Sequence, residues 1–187
     1  MSRRLVILAG EFPPFAGGIA NAAAQLAKTL TALNFPVTVI APHYGNKDRE
    51  FDRRQPYRII RLPLLRLRYV RMLPMTPVIL TLVAKEKPDW VIAMRVTREG
   101  LPAVAVKGLF KIPFIVFAHA LEFLRFSSHS LGWKVCCWVY SKSDWVAAIS
   151  SATRFELVKR GVEAEKVRVI HLGISEETFE HVPPIRE

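Results

Sequence analysis

The sequence has few cysteines and no apolar run long enough to cross a membrane. Its only two cysteines, Cys136 and Cys137, are neighbours in an apolar helical stretch, and this spacing suits neither a disulfide framework nor a metal site. Every long uncharged stretch is interrupted by proline, whereas a membrane-spanning helix needs about 20 consecutive apolar residues. No secretory cleavage pattern follows Met1 to Arg4. We therefore expect a cytoplasmic protein, soluble or peripheral on the inner face of the membrane.

Acidic residues are also scarce relative to basic ones. The 187 residues include 27 Lys and Arg but only 16 Asp and Glu, which gives a formal net charge of +11. Such an excess favours an anionic partner, which could be a phosphorylated substrate, an acidic membrane or nucleic acid. The length and the 51% hydrophobic content predict one globular domain with a sizeable core.

Several catalytic signatures are missing as well. The sequence has no G-x-S-x-G elbow, no carboxylate pair placed for hydrolysis and no His/Cys/Asp cluster with metal spacing. These absences disfavour hydrolases and metalloenzymes. No zinc-finger or RNA-recognition signature is present, so no nucleic acid partner is expected.

Short apolar or β-branched runs alternate with helical patterns along the chain. Strands are predicted at residues 5–9, 37–41, 59–62, 89–93, 112–118, 145–149 and 167–170, with most of the segments between them helical. The polar segment 43–54 is predicted to be a surface loop. The alternation predicts an α/β fold: a doubly wound, mostly parallel Rossmann-like sheet with helices on both faces. Residues 1–175 would form this domain, and 176–187 would begin a linker.

The first strand-to-helix connection is rich in proline and glycine. Pro13 and Pro14 stiffen it, and Gly17 and Gly18 lead into the helical pattern. Glycines at the start of a helix let an anion approach the first-turn N–H groups closely, so this stretch predicts a loop that binds a diphosphate. A tight turn with no ligand explains the same residues equally well, because the loop is neither a G-x-G-x-x-G fingerprint nor a P-loop.

Further polar residues follow later strands, whose carboxyl ends meet at one edge of such a sheet. His119 ends the most apolar strand and could contact a charged oxygen or a hydroxyl; the alternative is a histidine that caps the strand end. Glu122 could orient His119 or bind a hydroxyl-rich acceptor, or be a first-turn charge that complements the helix dipole. Arg95 and Arg154 are candidates for binding an acceptor phosphate. Ser150 lies at the next strand end, where it can also cap a helix.

Seven arginines are interleaved with leucines and a tyrosine between Arg53 and Arg71. This composition suits the headgroup region of an acidic bilayer, and the membrane-surface candidates are Arg66, Arg68 and Arg71. The alternative is an edge strand and loop protected by charge against aggregation.

Taken in order, these pieces resemble the amino-terminal half of a family 4 glycosyltransferase with the GT-B architecture of two facing Rossmann-like domains. The resemblance runs nearly end to end. It is carried by Pro13-Pro14 with Gly17-Gly18, Val37–Ile40, Phe117–Glu122, Ala148–Ser151, and Lys166–Ile170 followed by Gly173-Ile174.

The resemblance implies a retaining transfer of a sugar from a nucleotide diphosphate sugar to a lipid-linked or saccharide acceptor, with no metal or other cofactor. It implies that the amides at Gly17 and Gly18 face the donor diphosphate and that His119 lies near the transferred sugar. Ser150 and Arg95 would help to shape the acceptor pocket.

Two departures from the family pattern affect these expectations. The last motif usually reads Asn-Gly-Val-Asp, whereas this chain has Leu172-Gly173-Ile174-Ser175, so polar contacts expected there are missing. The carboxyl-terminal domain, which holds the nucleotide and sugar pockets, is not in this sequence, so we expect a part of a longer or split enzyme that is inactive alone. The alternatives are a non-catalytic Rossmann-like module that docks on a membrane or recruits a partner and, less favoured, a nucleotide-dependent oxidoreductase, whose fingerprint the first loop lacks.

Overall fold

The alternating segments form one parallel sheet in the computed structural model, which describes residues 3–63, 74–127, 129–171 and 173. Every pairing between neighbouring strands is parallel, and the spatial order is β3-β2-β1-β4-β5-β6-β7. The strands are β1 (Leu5–Leu8), β2 (Val37–Pro42), β3 (Arg58–Leu62), β4 (Trp90–Ala93), β5 (Phe114–Ala118), β6 (Trp145–Ala148) and β7 (Val167–Val169). The predicted doubly wound Rossmann-like sheet is confirmed.

Helices connect most of the strands. They are α1 (Gly18–Ala32), α2 (Lys47–Arg53), α3 (Thr76–Glu86), α4 (Gly100–Phe110), α5 (Ala120–Leu124), α6 (Leu131–Lys142) and α7 (Ser151–Lys159). A 3-10 turn, Ala164–Lys166, precedes β7. The helices lie on both faces of the sheet, as the sequence predicts.

Helix α2 contradicts the prediction that residues 43–54 form a loop throughout. The buried carboxylate of Asp48 accepts hydrogen bonds from the backbone N–H groups of Tyr44 at 2.6 Å and Gly45 at 3.3 Å, which organises the turn into the helix. Phe51 then packs against the core. One apolar side chain in seven residues gives no periodic signal, so the pattern could not reveal this helix.

Alternate residues of the central strand contribute to two separate apolar layers. Val6 and Leu8 of β1 pack in the layer that includes residues of α3, α4, α6 and α7. Leu5 and Ile7 pack in the layer that includes Ala23 and Ala27 of α1. Because successive side chains of a strand point to opposite faces, helices must cover both faces of a strand that is apolar throughout.

Gly100 allows α4 to approach α6 closely. A Cβ atom at this position would lie 2.7 Å from Cγ1 of Val139, whereas one at Gly108 of the same helix would have no atom within 4 Å. The two glycines therefore form a matched pair, in which only the first is required by packing.

We expect Gly100→Ala to lower the free energy of unfolding by about 1–3 kcal/mol, because the added methyl overpacks the contact with Val139. Gly108→Ala should leave stability unchanged or raise it by up to about 1 kcal/mol, because alanine has the higher helix propensity. Urea unfolding of the two variants measures the difference. Equal stability would contradict the assigned role of Gly100.

Candidate functional site

The carboxyl ends of β1 and β4 meet where the strand order reverses. β1 pairs with β2 on one side and with β4 on the other, so the connections after β1 and β4 lead to helices on opposite faces and leave a crevice between them. The connection after β1 runs to Gly17, the one after β4 runs to Glu99, and His119 directly follows β5. These three segments surround the candidate site.

Arg61 of β3 holds the proline-rich connection in place. Its guanidinium donates to the carbonyl oxygens of Pro13 at 2.6 Å and Pro42 at 3.0 Å, and it pairs with Asp52 at 2.6 Å. It also lies 5.5 Å over the ring of the buried Phe12. Because these contacts occupy the guanidinium, Arg61 supports the loop and does not serve as a free basic group on the surface.

Gly17 is the N-cap of helix α1 and Gly18 is its first residue, and the Pro13–Pro14 peptide bond in the same connection is cis. The φ of Gly17 is 176°, an extended value that any residue adopts. Among the described residues, a Cβ at Gly18 would have no atom within 4 Å, and no side chain caps the first turn of the helix. Neither backbone conformation nor packing therefore requires glycine at position 18. The open space leaves room for an anion beside the first-turn N–H groups.

Glu11 links the connections after β1 and β4. One of its carboxylate oxygens accepts a hydrogen bond from Arg95, and the other accepts one from Nη1 of Arg98 at 2.8 Å. The side chains of Glu11, Arg95 and Arg98 are 15%, 14% and 16% exposed. The Glu11 carboxylate also lies 3.9 Å from the position of a Cβ on Gly17. Arg95, expected to bind an acceptor, thus lies at the reversal of strand order and beside the glycine loop.

Glu99 is buried behind this cluster, with 1% of its surface exposed. Its Oε1 accepts a hydrogen bond from the backbone N–H of Gly10, and any Cβ on Gly10 would collide with that oxygen. Burial raises the pKa of Glu99 to about 7, although Arg95, the Gly10 N–H and Arg98 each lower it. The buried carboxyl group therefore joins the end of β1 to the start of α4.

His119 is buried at the end of β5, with 7% of its surface exposed. Its Nε2 lies 3.0 Å from the carbonyl oxygen of Met94, so Nε2 is the donor of this hydrogen bond. Burial lowers the pKa of His119 to about 4, and the positive charge of Arg95 lowers it as well. The imidazole is therefore neutral near pH 7 and joins the ends of β5 and β4. This contact fits the strand-end alternative, and a place beside the transferred sugar stays a prediction.

The other acceptor candidates lie further along the sheet. Ser150 follows β6, two strands from β4 and therefore roughly 10 Å away, and its Oγ accepts from the N–H of Thr153 at 3.1 Å as the cap of α7. Arg154 is exposed, and its Nε lies 3.4 Å from the carbonyl oxygen of Val167 in β7. The backbone of Glu122 belongs to α5, but its side chain lies outside the described residues. Ser150 and Arg154 are thus separated from the crevice.

Part of the basic stretch is neutralised within the domain. Arg54 pairs with Glu50 at 2.6 Å and Arg58 with Glu86 at 2.8 Å, and Arg61 supports the proline-rich loop. Arg61, which is 10% exposed, is therefore a poor candidate for lipid binding, whereas the side chains of Arg54 and Arg58 stay 73% and 58% exposed. The three membrane-surface candidates, Arg66, Arg68 and Arg71, lie outside the described residues.

Within the described ranges, no helix has the length and apolar character needed to span a bilayer. The same part of the chain contains no group of three or more His, Cys, Asp or Glu side chains that could hold a metal ion. The expectation that no metal is required stays a prediction.

Comparison with protein families identifies the chain. The family model described as Glycosyltransferase Family 4 matches residues 16–178. The chain belongs to glycosyltransferase family 4. The match begins one residue before the glycine pair and includes the ends of β4, β5 and β6, so the resemblance found in the sequence is confirmed. No curated protein matches the chain.

Solved structures with the same fold are about twice as long. Anabaena HepE in complex with UDP-glucose has a TM-score of 0.71 at 15% identity, over 92% of this chain and 44% of that one. The lipopolysaccharide outer core galactosyltransferase WaaB has a TM-score of 0.62 at 16% identity, over 92% and 46%. A UDP-GlcNAc 2-epimerase from Methanocaldococcus jannaschii has a TM-score of 0.61 at 19% identity, over 89% and 45%. At these identities the likeness shows the fold, one Rossmann-like half of a GT-B enzyme.

Sequence patterns did not reveal the partners of Arg95. Glu11 and Arg98 follow different strands and are 87 residues apart, so no local spacing connects them. Knowledge of the strand order would have found them, because residues after β1 and β4 meet at the point of reversal, but the alternation of strands and helices does not predict that order.

The buried carboxyl group of Glu99 should make stability fall as pH rises. Its folded-state pKa is about 7 against an ordinary value of 4.5, so between these values the folded protein holds more protons than the unfolded chain and loses stability with rising pH. Glu99→Gln keeps an acceptor for the Gly10 N–H and should remove this loss, which amounts to about 3 kcal/mol. Urea unfolding between pH 4.5 and pH 7 measures the slope of stability against pH.

His119 adds a dependence of stability on pH with the opposite sign, and it does so in both the wild type and Glu99→Gln. Its folded pKa of about 4 lies below the ordinary 6.5, so its contribution is present above pH 6.5 and is lost as pH falls toward 4. Glu163→Gln, at a side chain that is 59% exposed, is the control and should keep the wild-type slope. Parallel slopes for the wild type and Glu99→Gln would contradict the raised pKa.

Proposed function

We propose that this chain is the acceptor-side half of a retaining glycosyltransferase that moves a sugar from a nucleotide diphosphate sugar to a lipid-linked or saccharide acceptor. The observation that carries the proposal is the glycine pair at the first strand-to-helix connection of a family 4 chain, where neither the backbone nor the packing accounts for Gly18. The presence of UDP-glucose in the structure of HepE, which has the same fold, supports a nucleotide sugar as the donor.

The open start of helix α1 would stabilise negative charge that develops during sugar transfer. As the bond to the sugar breaks, the departing diphosphate gains negative charge. N–H groups fixed beside it stabilise that charge more in the transition state than in the bound donor, which accelerates the reaction. Gly17 and Gly18 would let the diphosphate approach those groups, while Arg95 would contact the acceptor on the same edge of the sheet.

The proposed enzyme needs a second domain. This chain spans 44% of HepE and 46% of WaaB, and the described residues provide the glycine loop without a nucleotide pocket opposite it. A carboxyl-terminal domain would supply the nucleotide and sugar pockets across an interdomain cleft. The 187-residue chain alone would therefore fold but transfer no sugar.

An acidic membrane surface is proposed as the place where the acceptor is found. The residues that support it are Arg66, Arg68 and Arg71, whose leucine and tyrosine neighbours suit the headgroup region. Arg61 is occupied by contacts within the domain, so the proposal rests on this later part of the basic stretch.

In the full-length protein that contains this chain, Gly18→Val should lower turnover by about 10²–10³-fold, because the side chain blocks the approach of the diphosphate. The space around position 18 means that stability should stay near that of the wild type. The assay is transfer from a panel of nucleotide diphosphate sugars, with circular dichroism as the check on folding. Gly108→Val, also in open space, is the matched control. Unchanged turnover in Gly18→Val, or transfer by the isolated chain, would contradict the proposal.

Replacing Arg66, Arg68 and Arg71 together with Gln should remove most of the binding to acidic vesicles. Binding should be strong at low salt and lost near 1 M salt, where the Debye length falls to about 3 Å. Cosedimentation with acidic and neutral vesicles measures it. A triple Gln variant of the exposed Lys85, Lys134 and Lys142 changes the net charge equally and should retain the binding. Equal loss in both variants would indicate a general charge effect in place of a specific surface.

A further inference from the structure

The crevice between β1 and β4 contains more positive than negative charge. The guanidinium groups of Arg95 and Arg98 share a single carboxylate, that of Glu11, and all three side chains are largely buried. Glu99 is the other acid of the cluster, and it is only partly ionised near neutral pH because burial raises its pKa to about 7. Two cations that have lost most of their hydration therefore face little more than one negative charge.

The same arginines have hydrogen-bonding capacity beyond Glu11. A guanidinium carries five N–H donors, and each arginine is seen to donate to one oxygen of Glu11. The Nε of Arg95 is buried and finds no acceptor in the part of the chain that the structure describes. A buried donor without a partner is costly, so an oxygen atom that reached this Nε after the neighbouring side chains moved would gain a favourable contact.

The Glu11 carboxylate occupies a position that suits a ligand anion. It lies 3.9 Å from where a Cβ of Gly17 would be, beside the first turn of α1, which no side chain caps. Helix starts of this kind favour negative charge. The carboxylate thus lies between two arginines and an open helix start, as a bound phosphoryl group would.

We infer that Arg95 and Arg98 form a binding site for a phosphoryl group, and that Glu11 occupies this site until the group displaces it. A phosphoryl group offers more acceptor oxygens and more charge than a carboxylate, and guanidinium forks match its geometry. The inference rests on the proposed function, which places a diphosphate at the adjoining loop. It adds Glu11 and Arg98 to the site and states their roles.

In the test, the 187-residue chain is titrated with inorganic phosphate. Binding is monitored through the backbone amide NMR signals of the connections after β1 and β4. We expect saturable binding that Arg98→Gln weakens roughly tenfold or more, because charge-assisted hydrogen bonds are lost. Glu11→Gln should strengthen the binding several-fold, because it removes the competing carboxylate. An increase in affinity on loss of an acid is not expected if Glu11 only positions the arginines.

The Arg58–Glu86 pair, which joins β3 to the end of α3 at 2.8 Å, provides matched controls. Arg58→Gln and Glu86→Gln change the net charge by the same amounts as the test variants, away from the crevice. Both should leave phosphate affinity within about twofold of the wild type, because the pair lies away from the crevice and the effect of distant charges is screened. Arg98→Lys is a second variant that retains the charge without the fork and should weaken binding less than Arg98→Gln.

Gly18→Val distinguishes the two sources of a phosphoryl group. If it weakens phosphate binding as much as Arg98→Gln does, the site belongs to the donor diphosphate. If binding survives, the site is separate and takes a phosphorylated acceptor. Either result supports the site and assigns its ligand.

The inference would be overturned by the absence of saturable binding, by an unaltered affinity in Arg98→Gln, or by weaker binding in Glu11→Gln. Because inorganic phosphate binding involves no sugar transfer, it is independent of the proposed reaction. A full-length protein that binds phosphate as expected but transfers no sugar would overturn the proposed function and leave this site intact.

Discussion

The position of β1 between β2 and β4 is the constraint on which the rest of the structure depends. Parallel strands need crossover connections, and these are right-handed in nearly all proteins. A chain that adds β2 and β3 on one side of β1 and β4 to β7 on the other must therefore place its helices on opposite faces. The crevice at the carboxyl ends of β1 and β4 follows from this order, and the residues beside it come from distant parts of the sequence.

Burial of charge then determines which contacts hold the loops around the crevice. Glu99 is almost completely buried, and the hydrogen bond that it accepts from the Gly10 N–H joins the end of β1 to the start of α4. The two arginines beside it would be costly to bury without Glu11. An unpaired charge in a low-dielectric site loses its hydration, and no ion pair compensates for that loss. On the other side of the loop, the largely buried charge of Arg61 is compensated in the same way. Its guanidinium pairs with Asp52 and donates to two carbonyl oxygens. The loop is thus held by polar contacts on both sides.

The sequence could predict those features whose signal is local. The strands and the parallel sheet needed only the alternation of apolar runs and helical periods, and the glycine pair needed only its position after the first strand. Helix α2 could not be predicted, because one buried phenylalanine in seven residues gives no period and the initiating contact is made by Asp48. The pairing of Glu11 with Arg95 and Arg98 could not be derived from spacing either, since it joins residues more than 80 positions apart.

The fold by itself does not determine the reaction. A galactosyltransferase and a UDP-GlcNAc 2-epimerase both superpose on this domain at TM-scores near 0.6, so the fold alone does not distinguish a transferase from an epimerase. The informative residues are those that the fold does not need. Gly10 is required by its contact with Glu99, but among the described residues nothing requires Gly18. The two arginines that contact Glu11 carry more charge than one carboxylate neutralises. Folding does not account for Gly18 or for the excess positive charge, so we expect a bound ligand to account for both.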